Sequence, residues 1–532
     1  MAAIITSNFR TVNASHFKEQ IEGSSVYVAI GKSDVWSLTT SDTTDTTPFV
    51  PGDNLDQLGE ARANLIGMKK IVPADIAHVV PRHTWTSGRS YFAWDSDDSS
   101  IFDKAFYVVT SEFKVYKCIK AGGGASSIQP TQTLTAPTAE SDGYTWKYMY
   151  TISVADAEKF LTNSYMPVKT VSLAASAVVA VASTTATIIL TETVPDIHVG
   201  MTVSGTNVGS SKTVSAINGS VLTLSGAPSG SVSGILTFAY ANDAAAENVL
   251  SEADYAQYLN QKASRDSATA AGIERIEVTA GGTGYTNNTN VAVTITGDGT
   301  GATVTTTTGV TVTGGAVTAV TIANKGTNYR VADIVISGGA GSDATARAVI
   351  SPKAGHGVDP VSELGGFFVA LNSKLDGNDG GDLTVGNDFR QITLFNEPRA
   401  YNATPLAGNI ATADTLKATS YLDFNSSATV ANYTVDELIV GAGGAQAYVV
   451  EKDTSNGFLR YHQNSKTGYK AFVNGEVVTG QSSSQADTLE TSNAVGNPEV
   501  DRASGEILFL ENRNPISRTT TQIEDIKVII EF

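Results

Sequence analysis

The segment IEDIKVIIEF places Ile526, Val528, Ile530 and Phe532 at alternate positions, with Lys527 and Glu531 between them. A period of two is the mark of a half-buried strand, so a strand is expected to run to Phe532. Near the start, AIITSNFR and VYVAIG also read as strands, and LDQLGEARANLIGMKKI as a helix. Pro73, Pro81 and Pro137 mark bends further on. In DAAAENVLSEADYAQYLNQKASRD, Val249, Leu250, Tyr255, Tyr258 and Leu259 gather loosely on one helical side, which predicts a helix over 243–266.

The texture changes near Val171. From there to about residue 240 the chain is Ser, Thr, Val, Gly and Ala with few charges, and short strands are expected. Asn218-Gly219 predicts a hairpin within KTVSAINGSVLTLSG. Residues 273–352 hold an internal repeat: IEVTAGGTGY, ending at Tyr285, recurs as VTIANKGTNY, ending at Tyr329. Two copies of one strand–turn–strand–turn–strand unit imply a duplicated module in which each copy covers the other's apolar face. A third β-rich stretch, 415–499, is expected to use ELIVG, AQAYVVEKD, GFLRYHQN and NGEVVTG as strands. GEILFLENR reads as one more strand, broken at Asn514-Pro515.

The expected plan is a discontinuous frame, 1–170, 353–414 and 500–532, interrupted by three small all-β modules at 171–240, 273–352 and 415–499. A helical connector occupies 241–272. Insertion at turn-rich boundaries costs little, because the loop ends already lie close. The fold class is mainly β (α+β), and 49 glycines among 532 residues agree with many tight turns.

Composition narrows the function. A formal charge of −18 argues against nucleic acid, whose phosphates would be repelled over most of the surface. No apolar run reaches the length of a membrane span, so no membrane insertion is expected. The start lacks the basic and apolar regions of a secretory signal. The single cysteine, Cys118, excludes an internal disulfide framework and suits assembly in a reducing host cytoplasm.

The search for chemistry returns little. Neither a phosphate loop nor HExxH, CxxC or GxSxG occurs. His78 and His83 flank Pro81 and read as turn residues rather than a metal pair. GGAGSDATA, 338–346, has the outline of a calcium nonapeptide, but one copy cannot form a site that needs stacked repeats. Asp95, Asp97 and Asp98 fit a solvated acidic loop better than an EF-hand. No cofactor, metal or catalytic residue is expected. All four tryptophans, Trp36, Trp85, Trp94 and Trp146, fall in the first 170 residues and call for a core or a partner surface.

Seven motifs, taken in order, resemble a known family. They are AIITSNFRTVNASHF with Phe9 and Arg10, VYVAIGKSDVWS with Trp36, VVPRHTW with Pro81, Arg82 and Trp85, VYKCI, and DGYTWKYMYTI with Trp146. GNDFRQITLFNEP follows with Phe389 and Arg390. GEILFLENRNPISRTTTQIEDIKVIIEF closes the series with Glu511, Asn512, Arg513, Pro515 and Phe532. Together they resemble the baseplate wedge subunit (gene product eight) of T-even-type contractile-tailed phages. The resemblance covers about half the residues; the three β modules depart from it and suggest a relative infecting cyanobacteria. It implies a non-enzymatic virion protein of the tail baseplate, a homodimer that links neighbouring wedge proteins, with the motif residues as interface candidates. The rival reading is a host-glycan-binding tail adhesin that uses its β inserts. A polysaccharide depolymerase has no mark in its favour.

Overall fold

The computed structural model describes residues 4–37, 39–42, 44–191, 194, 196–267, 271–286, 290–305, 309–381 and 383–532. It is mostly antiparallel sheet, in agreement with the mainly β expectation. The chain forms two compact units, each made of distant segments. One comprises 1–19, 77–370 and 529–532, the other 20–76 and 371–528.

In the second unit, a five-stranded sheet runs in the order Thr415–Lys417, Leu65–Lys70, Val26–Gly31, Asp388–Asn396 and Glu506–Ser517. Val26–Gly31 is buried along its whole length, as a continuous apolar run at the centre of a sheet must be. Tyr27, Met68, Phe395 and Val500 build the core on one side of this sheet. A seven-stranded sheet takes up Ser420–Asp423, Leu438–Gly441, Gln446–Asp453, Phe458–His462, Val477–Gly480, Ala486–Thr488 and Val495–Gly496, all of them strands or neighbours of the motifs read from the third module.

In the first unit, Ala174–Ser183 to Val232–Ala239 form a six-stranded sheet over a core of Ile188, Leu222, Leu236 and Phe238. Asn218 pairs with Val221, so the hairpin loop is Gly219-Ser220 rather than Asn-Gly. Gly219, with φ 56°, stands at the first loop position, as a two-residue turn of the II′ kind requires. The repeat also folds as a duplicate. Val291–Gly297 of one copy pairs antiparallel with Ala332–Gly338 of the other, and Tyr285 and Tyr329 lie in one shared core. Lys114–Lys120 and Thr145–Thr151 make the centre of a four-stranded sheet, with Cys118 and Trp146 buried beside each other.

Four sequence expectations are corrected. AIITSNFR is no strand: Ser7–Gly23 is a helix, started by the Thr6 hydroxyl, which accepts the Phe9 N–H at 3.3 Å. Phe9 and Val12, three apart on this helix, and Ile5 just before it stay exposed. LDQLGEARANLIGMKKI is helical only over Leu55–Ala63, where Asn54 caps the start; Leu65–Lys70 is a strand. The helix expected at 243–266 divides into Asp243–Glu247 and Glu252–Ser267. Its Val249 and Leu259 are exposed, and the inward face of the longer part carries Gln257, Asn260 and Gln261 beside Tyr258. Those amides reach main-chain groups: Asn260 donates to the Met149 carbonyl at 2.7 Å, and Gln261 accepts from the Val171 N–H at 2.7 Å. Finally, Asn514-Pro515 does not end a strand. Glu506–Ser517 is continuous, and its register jumps from Asn512 to Ile516. An edge strand with a bulge needs no N–H from Pro515, so the proline is tolerated there.

Candidate functional site

The motif residues assemble into three braces. The first lies in the unit containing 1–19 and 529–532. Arg10, on the inner side of the Ser7–Gly23 helix, donates from Nε to the Phe532 main-chain oxygen at 2.5 Å and pairs with Glu531 at 2.5 Å. Its guanidinium sits 4.2 Å over the Phe367 ring, a cation–π contact. Phe17 and Phe532 meet at 5.1 Å, and the Phe532 N–H donates to the Phe367 carbonyl at 2.9 Å. The alternation read at the outset is thus a real strand, Ile523–Glu531, in which Ile526 and Val528 are buried and Ile530 and Phe532 half-buried.

The second brace belongs to the other unit and centres on Asp45, which the motifs had not singled out. Its carboxylate accepts the Trp36 N–H at 2.9 Å and two Arg390 N–H groups at 2.8 Å each. Burial pushes this carboxyl up, but the hydrogen bonds from Arg390 and Trp36 outweigh it and hold Asp45 below the ordinary carboxylate range. Arg390 also reaches Asp388 at 2.9 Å and the Ser33 carbonyl. The Trp36 indole donates to the Arg513 carbonyl at 2.6 Å, and Asn512 joins the Gln391 amide to the Phe49 carbonyl. Glu511 pairs with Arg513 at 2.7 Å, and Phe389 is fully buried opposite Ile516. Three motifs, SDVWS, GNDFRQ and ENRNP, therefore meet around one carboxylate.

The third brace returns to the first unit. The Pro81 carbonyl accepts the Tyr107 hydroxyl at 2.8 Å, and Arg82 donates to the Thr162 carbonyl at 2.9 Å. Trp85 donates to Ser126 at 3.3 Å. Trp146 is completely buried, stacked on Tyr144 and edge-on to Tyr91.

Of the motif residues proposed as interface candidates, Phe9, Arg513 and Pro515 are exposed; the others are buried or half-buried in these braces. The exposed apolar side chains lie mostly elsewhere. Ile4, Ile5, Phe9 and Val12 crown the first helix, at 81%, 69%, 56% and 40% exposure. Phe49, Val50 and Leu55 project from the TPFVPGDNL stretch, and Val178, Val181, Ile189 and Ile235 from the outer face of the 174–239 sheet. The helix ridge was recoverable from the spacing 5, 9, 12 once the strand reading was dropped.

The acidic loop is occupied by protein. Arg347 takes Asp95 in a two-point contact, with one distance of 2.8 Å, and reaches Asp97 at 3.3 Å. The Arg347 hydrogen bond is the main reason that the Asp95 carboxyl lies below its usual range. The Gly338–Gly339–Ala340 stretch of GGAGSDATA has positive φ throughout, the geometry of a tight turn between Ala332–Gly338 and Ser342–Ile350. No group of three or more His, Cys, Asp or Glu side chains placed to hold a metal ion is found among the described residues.

The fold and braces define a mainly β protein, built from two discontinuous units and fastened by charge-assisted contacts between distant motifs. In comparison with known proteins, residues 3–122 match the family model described as Bacteriophage T4, Gp8. The chain is also similar to the baseplate wedge protein gp8 of Enterobacteria phage T4, with 23% identity over 202 residues, which are 31% of this chain. The match spans 60% of that relative's length. The resemblance read from the motifs is therefore found independently, and the matched residues include Arg10, Trp36 and Pro81 of the three braces.

Proposed function

We propose that this chain is a structural subunit of the wedge in a contractile-tail baseplate, without enzymatic activity. It acts as a homodimer that joins neighbouring wedge proteins and is assembled in the host cytoplasm. The observation that carries the reading is the match of residues 3–122 to the Gp8 family, within which the Ser7–Gly23 helix and the residues just before it present Ile5, Phe9 and Val12 to solvent. An apolar ridge on a helix anchored from behind by Arg10 suits a permanent protein contact, because such interfaces bury apolar side chains at their centres. The stretches 171–240, 273–352 and 415–499 are inserts into a frame of 1–170, 353–414 and 500–532. Their Gly/Ser/Thr-rich composition supports placing the phage among those infecting cyanobacteria.

Cryo-electron microscopy of the virion tests the proposal. Density for this chain is expected at sixfold-repeated baseplate positions; density in the capsid or neck would reject it. Light scattering of the purified protein tests the dimer, with a mass of twice 55.4 kDa expected. A monomer at micromolar concentration contradicts a preformed dimer.

A further inference from the structure

A pit of about 170 Å³ opens in the unit formed by 1–19, 77–370 and 529–532. Ala136, Pro137 and Ser267 stand exposed at its mouth. Lys147, Ser264 and Ser351 are buried deeper, together with the nearly inaccessible side chains of Glu274 and His356.

The charges around the pit do not balance. Glu363, behind His356, accepts Lys117 Nζ at 2.9 Å and the N–H groups of Gly357, Val358 and Asp359 at 2.7, 3.0 and 3.2 Å. Glu274 accepts Lys325 at 2.7 Å. Both carboxylates are thereby engaged by a lysine each. Lys147 is 1% exposed and its hydrogen bonds go to neutral oxygens only, the Thr135 carbonyl and the Ser264 hydroxyl. A buried ammonium with no carboxylate in hydrogen-bond contact is costly, and burial lowers its pKa to about 8 against the opposing pull of Glu363.

His356 adds a second observation. Its ring nitrogens lie 3.7 Å from Glu274 and 3.8 Å from Glu363, beyond hydrogen-bond reach, and neither has a partner. The imidazole lines the pit with its side chain 6% exposed. The site thus offers a buried ammonium bonded only to neutral oxygens, an imidazole whose nitrogens make no hydrogen bond, and the Ser264 hydroxyl; the Ser267 and Ser351 hydroxyls already donate to the Ala263 and Gly272 carbonyls at 2.6 and 3.2 Å. At about 170 Å³ the pit has room for several waters or one tetrahedral anion.

We propose that this pit binds a small inorganic oxyanion, phosphate or its isostere sulfate. Lys147 and His356 are the principal donors, and Ser264, whose oxygen accepts from Lys147, supplies a hydroxyl proton. The anion neutralises Lys147 and fastens the Glu252–Ser267 helix to the Thr145–Thr151 strand.

Calorimetric titration of the full chain with sodium phosphate, at ionic strength held constant with sodium chloride, tests this. One saturable site per chain is expected, with a higher melting temperature in phosphate than in chloride. Lys147→Met and His356→Phe, which keep most of the packing volume, should each weaken binding at least tenfold while melting stays cooperative. Acetylation footprinting of the unmodified chain places the site without any variant: phosphate should slow modification of Lys325 at the pit wall and leave the other lysines unchanged. Absence of a saturable heat, equal melting temperatures in the two salts, or unchanged Lys325 labelling would each overturn the proposal, as would folded variants that bind as tightly as the parent.

Discussion

Arg390 grips Asp45 across 345 positions of sequence through two hydrogen bonds of 2.8 Å each. Arg390 is 3% exposed and forms ion pairs with Asp45 and Asp388, and the same Asp45 carboxylate fixes the Trp36 main chain.

Removing the guanidinium should therefore destabilise the unit of residues 20–76 and 371–528. Arg390→Ala is expected to cost about 3 kcal/mol, since it strands two carboxylates beside a buried core. Arg390→Lys should cost less, about 1–2 kcal/mol, because an ammonium cannot make the two-point contact. Urea unfolding followed by tryptophan fluorescence measures both; equal stabilities for Lys and Ala at this position would refute the geometric part.

Deleting residues 526–532 should unfold or gravely weaken the protein. Ile526 and Val528 are 6% and 4% exposed, and each is worth about 1.5–3 kcal/mol on burial. The Arg10 contacts to Glu531 and Phe532 go with them. A melting temperature unchanged from the full chain would contradict this.

The duplicated module makes a reciprocal prediction. A Cβ on Gly341 would lie 2.4 Å from the Tyr285 ring, and one on Gly299 would lie 2.4 Å from the Tyr329 ring. Gly341→Ala and Gly299→Ala should each destabilise by about 1–3 kcal/mol through overpacking. Pairing Gly341→Ala with Tyr285→Leu should recover part of the loss, which a double-mutant cycle on calorimetric stabilities would reveal. Strict additivity would count against the contact.

Two buried histidines should weaken the fold in mild acid, against an opposite contribution from Asp436, whose carboxyl burial pushes up to about 7. His78 and His462 are buried, and burial pushes each down to about 4 from 6.5. Each is neutral in the folded state and protonated more readily when unfolded. Their contribution is complete above pH 6.5 and is lost as pH falls toward 4, up to ~3 kcal/mol for each. Glu363 acts lower: burial raises its pKa, but Lys117 and its hydrogen bonds prevail and hold it at about 2. Its contribution, present above pH 4.5, fades as pH falls toward 2. Replacing His462 by Gln, which can still bond Ser33, should flatten the melting-temperature profile between pH 6.5 and 4. An unchanged slope would show that this imidazole does not carry it.

The local chemistry of strands was legible because it is periodic. VYVAIG, the Ile526–Phe532 alternation, the third-module strands and the 44-residue repeat all appear in the fold with their buried faces inward. The N-terminal helix was misread because Ile4, Ile5 and Phe9 remain at the surface, so their apolar character reports an outer face and not a core. The Glu252–Ser267 helix was misread on its buried side for the opposite reason: Gln257, Asn260 and Gln261 satisfy main-chain groups of other elements, a demand that exists only after those elements are placed.

By itself, then, the sequence determined most of the strands outside AIITSNFR and LIGMKK, where one unit is duplicated and which family the motifs resemble, since each depends on residues close together in the chain. Tertiary structure alone decided that Asp45 is the hub for Trp36 and Arg390, that Arg347 occupies the acidic loop, and that Lys147 and His356 share a pit. Apart from the Trp36–Asp45 bond across nine positions, those relationships join groups more than two hundred residues apart, and their energies depend on distance and burial, which only the folded chain supplies.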